Sequence, residues 1–247
     1  YEDIDPDIII GCIGGGGLMS GISLYSKYVS NTCKLYGVES KGCSAMYQSI
    51  KMDKVISLEN YDTFVDGAAV KQVGNLTFDI CKKYLEDIFL ISNGKLCNTL
   101  LDLYSTHGII AEPAGALSIS ALDYLDKDSI RDKNVVAIIS GGNNDITRYP
   151  EMNDLALRYL NLKHYFVIKF TQRPGELKRF LNDILGPNDD ITRFEYIKKT
   201  NKSYGQVLLG IQLHNPDNLN ILIANLEKNN FNFKYINDDD MLMSYLV

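Results

Sequence analysis

Apolar residues in this chain come in short continuous runs, separated by longer stretches where they recur every three or four positions. The first run, Asp7-Ile8-Ile9-Ile10-Gly11-Cys12-Ile13, predicts a strand over residues 7–13, buried on both faces. A helix is expected over 16–29, a strand over 34–39 and a helix over 44–51. A polar loop then ends in Phe64-Val65-Asp66-Gly67-Ala68-Ala69-Val70. Beyond it the pattern predicts a helix over 75–85, a strand over 88–91, helices over 93–107 and 113–125, and a strand over 135–139. Pro113 suits the first turn of its helix, and Glu112 complements the helix dipole there. Strands alternating with helices imply an α/β unit with a parallel sheet covered on both faces.

The pattern changes near residue 146. A connecting helix is expected over 150–160. A strand at 165–170 follows, then a helix at 174–185, strands at 191–198 and 205–213, a helix at 216–228 and a strand at 231–236. That order, βαββαβ, is the ferredoxin-like split arrangement. The expected organisation is therefore a first domain at 1–146, a connection at 147–163 and a second domain at 164–247.

Composition narrows the partners. The 247 residues hold 25 Lys and Arg against 31 Asp and Glu, a net charge of −6. No basic patch interleaved with aromatics is present, which argues against nucleic acid. No apolar stretch has the length of a membrane span, and no signal-peptide pattern opens the chain. The five cysteines (Cys12, Cys33, Cys43, Cys81, Cys97) lack CxxC spacing and read as buried reduced thiols of a cytoplasmic protein. His107, His164 and His214 share no metal-ligand spacing, and no metal is expected. Asp238-Asp239-Asp240 reads as a solvated turn, and Asn75-Leu76-Thr77 matches a glycosylation sequon that a cytoplasmic chain would not use. The chain opens on Tyr1 one step before its first strand, and we expect it to be a piece of a longer protein.

The most informative feature is Gly14-Gly15-Gly16-Gly17-Leu18, between the first strand and the first helix. Each glycine costs about 0.5–1 kcal/mol of backbone entropy relative to alanine, and a structural turn needs only one or two. Bare backbone N–H groups at a helix start make an anion site, so a phosphate is the expected ligand. A dinucleotide reading finds an acid, Glu39, at the end of the next strand, but the third glycine of G-x-G-x-x-G falls on Met19 or Ser20. The P-loop form fails too, for no Gly-Lys-Ser/Thr follows.

Two further segments carry candidate chemistry. Ser140-Gly141-Gly142-Asn143-Asn144 follows a parallel strand, at the end where open α/β sheets bind ligands. A serine hydroxyl there can bond a ring nitrogen without adding charge, or merely cap a turn. Glu112-Pro113-Ala114-Gly115-Ala116 opens a helix with small residues, and Glu112 either caps that helix or faces a ligand.

Taken in order, these segments resemble the fold-type II enzymes that use pyridoxal 5′-phosphate, and within them the biosynthetic threonine ammonia-lyases (threonine dehydratases). The resemblance covers nearly the whole chain. It implies that Gly14, Gly15, Gly16, Gly17 and Leu18 hold the cofactor phosphate and that Ser140 faces the pyridine nitrogen. Glu112-Pro113-Ala114-Gly115-Ala116 is similar to the family's E-P-S/T-G-A segment, with Ala114 in place of the hydroxyl residue. The loop holding Gly67 is similar to one that lines the family's active site, as the Glu112 segment does.

The second domain resembles the family's ACT-like regulatory unit, present here in one copy as in the short form of the family. Gln172, Arg173, Gly175 and Glu176 are the expected effector-binding residues, with isoleucine or valine as effector; the bland reading makes them an ordinary solvated helix start. The resemblance implies conversion of L-threonine to 2-oxobutanoate and ammonia in isoleucine biosynthesis, by a homo-oligomer. The family's cofactor-bearing lysine lies upstream of the glycine loop, so the catalytic residue is left unassigned and this chain alone is expected to be inactive. Neither Lys71 nor Lys95 stands in a matching motif. Rival readings are another fold-type II enzyme, such as a serine/threonine dehydratase-racemase, a non-catalytic amino-acid sensor, and a nucleotide-binding domain.

Overall fold

The computed structural model describes residues 5–29, 32–197 and 203–246. The chain forms two compact units, Tyr1–Ala156 and Leu157–Val247. The division falls inside the connecting helix.

In the first unit, β1 (Ile8–Cys12) leads through the glycine loop into α1 (Gly17–Val29). There follow β2 (Lys34–Ser40), α2 (Ala45–Lys51), α3 (Asn75–Tyr84), β3 (Asp87–Ile91), α4 (Asn93–His107), α5 (Pro113–Ser120) and β4 (Val135–Ala137). All strand pairs are parallel, in the order β3-β2-β1-β4. The chain runs outward from β1 to β3 on one side, then returns to place β4 on the other. The order therefore reverses between β1 and β4, and open α/β sheets bind ligands at that switch point, beyond the strand C-termini. The sheet carries a core on each face. One is built on Ile10, Leu96, Leu117 and Met152, the other on Ile13, Met19, Leu35 and Met46, all fully buried.

Predicted and observed elements differ where local signals are weakest. The helix expected to reach residue 125 stops at Ser120, and a 3₁₀ turn at Leu122–Tyr124 completes it. The strand expected over 135–139 stops at Ala137. Its continuation, Ile138, still donates its N–H to the Ile10 carbonyl at 3.0 Å. All five cysteines are buried and none is in a disulfide, as their spacing suggested.

The connecting helix is α6 (Tyr149–Tyr159). The second unit then runs β5 (Lys163–Thr171), α7 (Glu176–Asp183), β6 (Asp190–Ile197), β7 (Tyr204–Gln212), α8 (Asn218–Lys228) and β8 (Asn232–Tyr235). Its antiparallel sheet has the order β6-β7-β5-β8, the ferredoxin-like topology expected from the pattern. Residue 198, the expected end of β6, lies outside the described residues. One face of this sheet packs Phe166, Phe170, Phe180, Val207 and Leu209 into an aromatic-rich core. Full burial of each large side chain contributes about 1.5–3 kcal/mol.

A last helix, α9 (Asp240–Leu246), which the pattern did not predict, follows the turn at Asp238. The Asp239 carboxylate accepts from the Leu242 N–H at 3.0 Å and from Lys234 Nζ at 2.6 Å, so it caps the helix. Met243 packs with Tyr165, Leu208 and Ile236, against the face of the sheet opposite the aromatic core.

Candidate functional site

The four segments singled out in the first unit meet at the C-terminal ends of β1 and β4. Ile10 pairs with Ala137 in parallel, so the glycine loop and the Ser140 turn leave neighbouring strands at the same end of the sheet. The glycine loop follows Ile13, and Ser140 opens the Gly-Gly-Asn-Asn turn.

Close backbone approaches tie the loops together. A Cβ built on Gly14 would lie 3.3 Å from the Ala68 Cα, so only glycine lets the Asp66–Val70 loop come so near without displacement. A Cβ on Gly67 would lie 3.1 Å from the Ala114 Cβ and 3.4 Å from Glu112 Oε1. A Cβ on Gly115 would collide with the Gly141 carbonyl oxygen at 2.4 Å, and one on Gly141 with Glu112 Oε1 at 2.1 Å. The Glu112 N–H donates to the Gly141 carbonyl at 3.1 Å, and Asn144 Nδ2 to the Ala111 carbonyl at 3.0 Å. The small residues of Glu112-Pro113-Ala114-Gly115-Ala116 are thus explained by packing against the Ser140 turn.

Glu112 occupies the N-cap position of α5, and its side chain makes no capping bond. The carboxylate lies instead between Gly67 and Gly141. That geometry overturns the capping alternative and places Glu112 among the converging loops.

The glycine loop suits a phosphate. Cβ atoms on Gly15 or Gly17 would meet nothing within 4 Å, so both glycines face open space. Gly16 has φ +92°, which side-chain-bearing residues rarely adopt. α1 begins at Gly17 with no acidic residue in its first turn to compete for its free N–H groups. Leu18 is solvent-exposed on that turn. Ser140 is exposed, and no described residue is bonded to its hydroxyl. A phosphate cup and a neutral hydroxyl donor on adjacent strand ends fit pyridoxal phosphate.

Glu39 does not serve a ribose. It is 1 % exposed and accepts from the Met46 and Tyr47 N–H groups at 2.9 and 2.8 Å. Burial pushes its carboxyl up to about 7, against the opposing pull of those two N–H groups. Cys12, in the adjacent strand, is pushed up to about 12, chiefly by burial and further by Glu39 and Glu112, and stays a neutral thiol.

In the second unit, a cavity of about 440 Å³ opens beside α7. Phe170, Leu177, Leu181, Phe194 and Tyr196 line its apolar side, and Arg173, Gly175 and Glu176 its polar side. Three of the four predicted effector residues therefore share one cavity. Gln172 does not join them: its side chain donates to the Tyr204 carbonyl at 3.1 Å. The helix starts at Glu176 rather than Pro174, because Gly175, at φ +88°, is its N-cap. Glu176 pairs with Arg179 at 3.3 Å. Among the described residues, no group of His, Cys, Asp and Glu is arranged to hold a metal ion.

Comparison with known proteins shows the family. The family described as "Pyridoxal-phosphate dependent enzyme" matches residues 1–141, and the "C-terminal regulatory domain of Threonine dehydratase" matches residues 154–246. The chain belongs to the pyridoxal-phosphate-dependent enzyme family. It is 51 % identical over 248 residues to a protein of Halalkalibacterium halodurans named L-threonine dehydratase biosynthetic IlvA, and covers 60 % of that relative. A Staphylococcus aureus protein of the same name is 48 % identical over 247 residues, with 58 % of it covered. Both alignments take in the whole of this chain. The chain thus spans about three-fifths of the length of these relatives. Among solved structures, the processed form of threonine deaminase isoform 2 from Solanum lycopersicum superposes with a TM-score of 0.59 at 33 % identity, over 63 % of this chain and 46 % of that one. Maize serine racemase superposes with a TM-score of 0.55 at 26 % identity, over 62 % of this chain and 49 % of that one. Among the described residues no helix is long and apolar enough to cross a membrane.

Proposed function

We propose that this chain serves a threonine ammonia-lyase, converting L-threonine to 2-oxobutanoate and ammonia under feedback control by an amino acid. The observation that carries the reading is the convergence of the glycine loop, the Gly67 loop, Glu112 and Ser140 at one switch point, in a chain that also holds a matching regulatory unit. The names of its relatives support the same substrate.

Pyridoxal phosphate, when bound, supplies an electron-withdrawing ring that eases loss of the α-proton and the β-hydroxyl. This chain's residues bind and tune it. Gly14, Gly15, Gly16, Gly17 and Leu18 offer backbone N–H groups to the phosphate, and the positive end of α1 favours its charge. Ser140 donates a neutral hydrogen bond to the ring nitrogen and leaves it uncharged. An aspartate there would instead hold a proton on that nitrogen. Gly67 and Glu112 line the substrate side. The group that moves the α-proton is not assigned within these residues.

Regulation belongs to the second unit. An apolar amino acid places its side chain against Phe170, Leu181 and Phe194, and its charged ends near Arg173, Gly175 and Glu176. Isoleucine or valine fits that division. The reading extends to isoleucine biosynthesis in the cytoplasm by a dimer or tetramer.

Turnover of L-threonine and L-serine by the whole protein, with added pyridoxal phosphate, tests the proposal. We expect threonine to be preferred and isoleucine or valine to shift the threonine curve. Serine racemisation without any amino-acid response would overturn it in favour of a racemase-dehydratase.

A further inference from the structure

The front of the glycine loop explains how it meets a phosphate. Its shape is set from behind, by side chains of other elements. Thr77 stands in the first turn of α3, and its hydroxyl lies 2.6 Å from the Gly15 carbonyl oxygen and 3.0 Å from that of Gly74. A trans peptide points its C=O and its N–H in opposite directions. The Gly15 carbonyl and the Gly16 N–H belong to one peptide. Holding the carbonyl against α3 therefore aims the Gly16 N–H away from α3.

The neighbouring contacts reinforce that orientation. At Gly16, with φ +92°, the place of a side chain is filled by the Met46 methyl and the Thr77 Cβ; a built Cβ would lie 2.7 and 2.8 Å from them. Met46 is fully buried, and its backbone N–H is bonded to the Glu39 carboxylate at 2.9 Å. Ser20 Oγ donates to the Gly16 carbonyl at 2.6 Å, fixing the next peptide of the loop. The sequence showed Thr77 only as the last residue of an unused sequon.

We propose that Thr77 is a positioning residue for the phosphate site: its bond to Gly15 orients the loop, with Met46, anchored by Glu39, as the packing wall behind it. The inference rests on the reading that the glycine loop binds the cofactor phosphate. The hydroxyl, rather than the bulk of the side chain, carries the effect.

The test compares the affinities of pyridoxal 5′-phosphate and pyridoxal, which differ only in the phosphate. Both are measured by quenching of tyrosine fluorescence in the unaltered protein and in Thr77→Val and Thr77→Ser. The ratio of the two dissociation constants isolates recognition of the phosphate. We expect Thr77→Val to shrink that ratio about tenfold by misorienting the loop, and Thr77→Ser, which keeps the hydroxyl, to restore most of it. A folded Thr77→Val protein with an unchanged ratio overturns the role of Thr77 while leaving the loop as the phosphate site. An unaltered protein with no preference for the phosphorylated form removes the phosphate reading itself, and the positioning role with it. If Thr77→Val does not fold, Thr77→Ala, which also removes the hydroxyl and suits a helix, is read the same way. A reduced ratio supports the proposal and an unchanged one overturns it.

Discussion

Glu112 and Gly141 hold each other in place: the Glu112 N–H donates to the Gly141 carbonyl at 3.1 Å, and the Glu112 carboxylate covers the face of Gly141 where a side chain would stand. Two loops from distant parts of the chain meet there with no room for a methyl group. The glycines around this contact differ in what surrounds them, and their alanine variants should separate accordingly. Gly115→Ala would drive its Cβ into the Gly141 backbone, which cannot move aside cheaply, so a loss of about 1–3 kcal/mol is expected in urea unfolding. For Gly141→Ala the nearest atoms are those of the Glu112 side chain, so its main effect should be to displace that carboxylate.

Gly15→Ala gives the opposite balance. Its Cβ meets nothing, and its φ lies outside the left-handed range, so stability should hold or rise by about 0.4–1 kcal/mol. The added methyl group occupies the open side of the loop, so affinity for pyridoxal phosphate should fall. Loss of stability with unchanged cofactor affinity would contradict this assignment.

Ser140→Asp should slow threonine dehydration by at least about tenfold. If Ser140 faces the ring nitrogen as proposed, a carboxylate there would favour its protonated form, whereas the hydroxyl would leave it neutral. The cofactor's absorbance band should shift in the same variant. Turnover equal to that of the unaltered protein would remove Ser140 from the ring site.

Glu39 sets a pH dependence in the first unit. Burial raises its carboxyl from 4.5 to about 7, so the folded unit holds the proton more tightly than the unfolded chain. Its contribution to stability is fully present below about pH 4.5 and is lost as the pH rises through about 7. The thiols of Cys12, Cys43 and Cys81 face it, and burial raises each of them, so they remain neutral across this range. Urea midpoints of the unaltered protein, relative to Glu39→Gln, should therefore decline between these limits. Parallel profiles would show that Glu39 titrates normally.

His164 gives the second unit the opposite slope. It is fully buried; Nε2 donates to the Asn161 carbonyl at 2.9 Å, which leaves Nδ1 to accept from the Tyr235 hydroxyl at 3.1 Å. Burial holds its pKa below the ordinary 6.5, against the pull of the Asn161 carbonyl. The stability it contributes is present above about pH 6.5 and lost as the pH falls through the lowered value. Protection factors of the β5 amides, which are exchange rates relative to the base-catalysed rate of an open chain at the same pH, should fall on acidification, and His164→Gln should flatten that response.

Much of this was legible in the residues. The alternation of strands and helices predicted the α/β unit, and the βαββαβ order predicted the second sheet, because side-chain periodicity is a local property. Gly14-Gly15-Gly16-Gly17 marked out a loop of bare backbone for a related reason: four adjacent glycines are costly unless such backbone is needed. α9 escaped notice because seven residues have no helical stability of their own; Asp239 and the packing of Met243 supply it.

The sequence by itself determined the strand, the glycine loop, the serine and the glutamate as separate chemical possibilities, since each depends only on residue type and neighbours. Which of them share a site was decided by the tertiary structure. The switch in strand order sets β1 beside β4, and Gly14, Gly67, Gly115 and Gly141 allow their loops to touch. Tertiary burial also turned Glu39 from a possible ribose ligand into an anchor for α2, and gave Thr77 its place behind Gly15. Neither role has a local signature, because each is defined by a backbone group tens of residues away or on another element.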